Sequence, residues 1–214
     1  MRDWIKDIKE KTANMNKTAT AMYVLTYYWY HILIFLAVFA LIFIFIFHYA
    51  TNKTAIFTCA MVNQQVDTKR DELWTKEFAK EIKEDAKKIV IDSNYNFSYG
   101  DMQLEGVNES SYEKFFLQWR NKELDAVIVS ESFYKYCKEL GGEFRDLSKW
   151  DTGALELYKD ENAPKAVVIG TDEFTKKVTG KTDEKLLLAF PDTGKHEKLS
   201  QLFLKYSIKK FNYS

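Results

Sequence analysis

The distribution of apolar positions divides the chain into two unequal parts. Between Val24 and Phe47 only Thr26 and His31 interrupt an apolar run, and from Ile32 to Phe47 there is no polar side chain. A helix that is apolar on every side has no reason to present one face to a protein core, so the pattern predicts a segment surrounded by lipid. Residues 23–49 are long enough to cross a hydrocarbon layer of ~30 Å as a transmembrane helix. Tyr23, Tyr27, Tyr28, Trp29 and Tyr30 stand at one end and Tyr49 at the other. Amphipathic rings of this kind settle at the headgroup level.

From position 55 the pattern changes to short apolar runs that alternate with stretches of helical spacing. The runs Ala55–Val62, Lys88–Ile91, Leu124–Val129, Ala166–Ile169 and Leu186–Phe190 predict strands buried on both faces. Between them, Trp74, Phe78 and Ile82 define a helix that Thr68 or Asp71 can cap. Tyr112, Phe115, Phe116 and Trp119 define a second, with Asn108 or Ser110 as its cap. Phe133, Tyr136, Cys137 and Leu140 mark the inward face of a third, stopped by Gly141-Gly142. Leu199, Leu202, Phe203 and Tyr206 mark the last. Residues 95–108 read as a hairpin or wide loop. The alternation predicts one α/β domain over 50–214, a single mostly parallel sheet covered by helices on both faces.

Charge adds an orientation. Residues 1–22 carry five basic and three acidic side chains, whereas 26 basic and 28 acidic follow the apolar segment. Basic residues stay preferentially inside, so 1–22 is expected in the cytoplasm and 50–214 outside a cell membrane crossed once. The run exceeds the ~7–15 residues of a signal-peptide core and no small-x-small cleavage site follows it, which favours an uncleaved anchor. His31 and His48 fall at the two expected interfaces. The near-neutral exterior argues against nucleic acid as a partner. Cys59 and Cys137 leave two readings open, a disulfide or a pair of small buried hydrophobes, of which the second is plainer. Five Asn-x-Ser/Thr triplets matter only in a host that glycosylates.

Catalytic signatures are missing: no His-Glu-x-x-His, Gly-x-Ser-x-Gly, phosphate loop or dinucleotide fingerprint occurs. His196, between Lys195 and Glu197, reads as solvated, and an Asp92–Asp101 acid/base pair is an unforced suggestion. No cofactor is expected. What remains is position, because ligands of open α/β sheets sit at the carboxyl ends of the strands. Those ends carry Asn63, Gln64, Asp92, Ser93, Ser130, Ser132, Gly170 and Thr171, groups suited to a small polar solute. Ser130 and Ser132 also precede a helix whose free N–H groups can hold an anion, although a plain helix cap explains either serine.

The stretch Leu124–Phe133, the following Tyr134–Gly142 and the turn Phe144-Arg-Asp-Leu-Ser148 resemble one lobe of the extracellular solute-binding proteins of ABC transporters. The end, Leu186–Tyr206, is similar to the strand, turn and helix that pack back on that lobe. Tyr27-Tyr-Trp-Tyr-His31 leading into the apolar run is similar to short membrane-anchored proteins of Gram-positive bacteria. The resemblance spans about 55–150 and 165–210, and it departs where a second lobe belongs, since only Asp151–Asn162 lies there. No family ligand residue therefore carries over. It implies a non-enzymatic, membrane-anchored binding or accessory module, its partner a membrane protein or a small polar solute. The alternative is a structural subunit docking through an aromatic surface, with Trp74, Tyr112, Trp119 and Trp150 as anchors.

Overall fold

A computed structural model describes residues 2–51, 55–107, 109–180 and 183–211. The chain separates into two compact units, residues 1–53 and 54–214. Among its described residues the first holds three helices, α1 (Arg2–Thr12), α2 (Lys17–Tyr27) and α3 (Trp29–Thr51). Asn16 caps α2 by accepting from the Ala19 amide. The apolar segment is not one continuous helix. It breaks at Tyr28, two residues after Thr26, whose hydroxyl donates back to the Met22 carbonyl, a bond that bends helices. Within α3, Trp29–Phe47 has a mean hydropathy of 2.8 and none of it is buried. At ~1.5 Å per residue this N-terminal apolar helix has the length and composition of a membrane anchor or a signal sequence.

The second unit is an α/β domain built on one six-stranded mixed sheet. Its elements are β1 (Phe57–Val62), α4 (Thr68–Ile82), β2 (Ile89–Tyr95), α5 (Ser110–Arg120), β3 (Ala126–Ser130), α6 (Glu131–Glu139), β4 (Leu157–Asp160), β5 (Ala163–Thr171), α7 (Glu173–Thr179), β6 (Lys185–Ala189) and α8 (Glu197–Phe211). The strand order is β2-β1-β3-β6-β5-β4. β1 runs parallel to both β2 and β3, whereas the β3–β6, β6–β5 and β5–β4 pairings are antiparallel. The expectation of a mostly parallel sheet is thus corrected. Apolar residues on both strand faces report that both faces are covered, and they carry no information about direction.

Both faces are covered as expected. One core joins Phe115 and Trp119 of α5 and Phe133, Tyr134 and Cys137 of α6 to Val127, Val129 and Leu187. The other joins Phe78 of α4 and Phe203 and Tyr206 of α8 to Phe57, Cys59, Ile128 and Leu188. Phe57, Phe78 and Phe203 meet with ring centroids 4.9–5.1 Å apart. Each fully buried Phe stabilises the fold by roughly 1.5–3 kcal/mol. Leu140 and Leu202, expected to point inward, are instead exposed just past the buried stripe of their helices. Cys59 and Cys137 are free and belong to opposite faces of the sheet, so the disulfide reading is excluded.

Two elements escaped the pattern. β4 lies inside Asp151–Asn162 and pairs with β5 as an edge strand; its Leu-Tyr-Lys-Asp is half solvated and contains no apolar run. α7 is a single short helix capped by Asp172, whose carboxylate accepts from the Phe174 and Thr175 amides. The cap of α4 is Asp67 rather than Thr68 or Asp71. Residues 96–107 form a wide loop pinned by a Tyr99–Met102 bridge; Asn108 lies outside the described residues.

Candidate functional site

The switch in strand order falls at β1, whose two parallel neighbours lie on opposite sides. Crossovers leave in opposite directions there and open a crevice beyond the carboxyl ends of the strands. Because β6 is antiparallel to its neighbours, β5 points the same way as β1 and β3, and its end joins theirs. Asp172, just past β5, and Glu184, just before β6, consequently stand beside the ends of β1 and β3.

The polar groups there are knitted together. Gln64 Nε2 donates to Asp172 Oδ1 at 3.2 Å. Tyr99, Ser130 and Ser132 form a triangle of hydroxyls with edges of 3.0, 2.8 and 3.1 Å. Ser130 Oγ also accepts from the Phe133 amide and is the cap of α6. The Ser132 amide donates to Glu184 Oε1, so the anion position at the start of α6 is filled by the chain's own carboxylate. Burial pushes the Tyr99 phenol up, with Glu184 and Asp172 adding to the shift against the opposing serine bonds. Tyr99 therefore stays neutral at physiological pH and remains able to donate.

Two open clefts flank this network. One, of about 460 Å³, is lined by Tyr99, Asp101, Ser132, Lys135, Tyr136 and Thr175, among others. The other, of about 910 Å³, lies between the β1–α4 segment (Gln64, Gln65, Val66, Arg70) and α7 (Glu173, Phe174, Lys176, Lys177, Val178), with Asn96 beside them. Both fall in the size range of small-molecule sites.

The eight residues expected at the strand ends separate into distinct roles. Gln64 and Ser132 line the clefts. Asn63 is buried, with φ at +49°, and its amide pairs with both the N–H and the carbonyl of Phe97, anchoring the wide loop. Ser93 is fully buried and donates through both its amide and its hydroxyl to Asp71 Oδ2, at 2.9 and 2.5 Å. Ser130 is a buried cap. Asp92 sits on the edge strand, holding Asn94 and Lys114, and Asp101 lines the smaller cleft. Gly170 and Thr171 are exposed at a bulge between β5 and β6 and line neither cleft. Asp172, Glu184, Tyr99, Arg70 and Lys176 went unmarked in the sequence. Of these only Asp172 carried a local signal, an Asp set just ahead of a short amphipathic stretch.

The opposite end of the sheet holds a second cluster. Asp125, buried just before β3, accepts from the Thr58 and His196 amides at 3.1 Å each, and the His196 ring Nδ1 lies 3.2 Å away. His196 is thus paired rather than simply solvated. Ser200 completes the group but donates to the Asp125 and His196 backbone carbonyls, not to the imidazole. The trio lacks the nucleophile–base bond of a catalytic relay and acts as a clamp between β3 and α8. The proposed aromatic anchors are packed inward: Trp119 is buried, and Trp74, Tyr112 and Trp150 lean on the two cores. Among the described residues no three His, Cys, Asp or Glu side chains converge as a metal site. Compared with protein-family models, curated proteins and solved structures, the chain matches none.

Proposed function

We propose that the chain is a single-pass membrane protein with a cytoplasmic N-terminus that displays its α/β domain outside the cell, where the domain recognises a small solute without transforming it. The observation that carries this reading is the presence of two open clefts flanking the strand-end network beside the β1 switch point, with Gln64, Ser132 and Lys135 facing them. The hydroxyls between the clefts bond one another and the carboxylates accept from amides, which suits a rigid recognition surface better than a proton-transfer site. Placement outside rests on the excess of basic residues before the apolar helix and on its exposed, uncharged surface. The resemblance to one lobe of a solute-binding protein points to an accessory or sensor role at a transporter.

Thermal melts of the full chain in lipid nanodiscs, with and without sugars, amino acids, short peptides and anions, test the binding step. A ligand at a hundred times its dissociation constant is expected to stabilise the domain by ~2.7 kcal/mol. An unchanged melting temperature across all four classes overturns the reading. Digestion of intact cells tests the placement, since external protease is expected to remove residues beyond the anchor.

A further inference from the structure

Resting on the strand-end reading, we infer that the larger cleft takes a small amphiphilic carboxylate, an organic acid with an apolar body. Its walls are contributed by Val66 and Val178, each 42% exposed, and by half-buried Phe174. Exposed valines on two separate elements that face one cleft form an apolar slot that water fills poorly. Around that slot stand three cations, Arg70, Lys176 and Lys177, against one lining carboxylate, Glu173.

Arg70 is preorganised. Its Nε and Nη2 grip Asp71 Oδ1 at 3.2 and 3.1 Å, Nη2 also donates to the Gln65 carbonyl, and the guanidinium lies 5.6 Å from the Trp74 ring centre. Nη1 makes no hydrogen bond among the described residues, which leaves one edge of the fork to meet a ligand oxygen. Asp71 compensates part of this charge from its buried position, so the two lysines supply the surplus. Lys176 is held only loosely, 3.7 Å from Glu173. A neutral sugar finds too few hydrogen-bonding groups along the valine walls, and a small inorganic anion leaves those walls wet. A carboxylate carrying an aryl or alkyl body satisfies both halves of the lining.

Calorimetric titration of the full chain in nanodiscs, with empty nanodiscs as reference, tests this with 3-phenylpropionate, 3-phenylpropanamide and acetate. The phenyl acid is expected to bind, with the amide and acetate each at least about tenfold weaker, the step corresponding to ~1.4 kcal/mol. The double variant Lys176→Gln/Lys177→Gln is expected to weaken the acid about tenfold and leave the amide unchanged, and Val178→Asp to weaken the acid by a similar factor. All three positions are exposed on α7 and their variants keep the core intact. Equal binding of acid and amide, or an acid affinity untouched by both variants, overturns the inference. If glucose or glycine gives a signal that Gln64→Ala removes while the phenyl acid gives none, the ligand class fails and the strand-end reading stands. If no solute of any kind binds, both fall.

Discussion

Asp71 and Asp125 are both buried carboxylates that fasten a helix to the sheet, one at each end of the strands, and they solve the same problem with different partners. Asp71, on α4, receives the amide and hydroxyl of Ser93 and is gripped by Arg70. Asp125 receives two amides and a histidine ring. Arg70 offers its carboxylate a guanidinium, whereas Thr58 and His196 offer backbone amides whose positions the chain path fixes. The clamp beside the clefts therefore rests on a charged side-chain partner, and the clamp at the far end chiefly on the backbone.

The largest expected effect comes from breaking the clamp beside the clefts. Asp71→Ala strands a partly buried guanidinium together with the Ser93 amide, and is expected to cost about 3–5 kcal/mol in chemical denaturation of the domain. Asp125→Ala leaves the Thr58 and His196 amides without acceptors and should cost about 2–3 kcal/mol by the same measurement. A smaller loss for Asp71 than for Asp125 would invert the comparison.

Titration sharpens it further. Desolvation raises the Asp125 carboxyl above its ordinary value, outweighing the two amides and the imidazole that pull it down. An acid that holds its proton more tightly folded than unfolded stabilises the fold on acidification. Its contribution is fully present below the ordinary carboxylate value of ~4 and is lost as pH rises through the raised one. Asp125→Asn, which keeps an acceptor and gains a donor, is expected to remove that slope from a stability–pH profile while costing less than the alanine variant. The smallest effect is expected from Ser130→Ala, which removes the α6 cap for about 1 kcal/mol, read as a drop in melting temperature.

These clamps were the hardest features to read from the sequence, because each joins residues far apart along the chain. Asp71 sits 22 positions from Ser93, and Asp125 sits 71 from His196. Asp71 resembled a helix cap and His196 a surface residue, since periodicity describes neighbours and not partners. Where the signal was local it translated well. The Trp74–Phe78–Ile82 spacing became α4, and the β1, β3 and β6 runs became strands within two residues of their expected ends. Strand direction failed for a different reason. β5 and β6 are linked through α7, a connection that looks like a crossover yet returns the chain antiparallel. Ser130 shows the converse case: its role as a cap was legible, because the bond it makes spans only three residues.

The two thiols, one on each side of the sheet, have a practical corollary. Burial pushes both far above the usual cysteine range, and neither side chain is more than 1% exposed. A maleimide reagent therefore finds nothing to modify in the native chain. One cysteine introduced at an exposed position, such as Lys177 or Lys17, becomes the sole reactive handle without any change to the native pair. Which side of the bilayer each part of the molecule occupies can then be asked with a membrane-impermeant label on the otherwise unaltered protein.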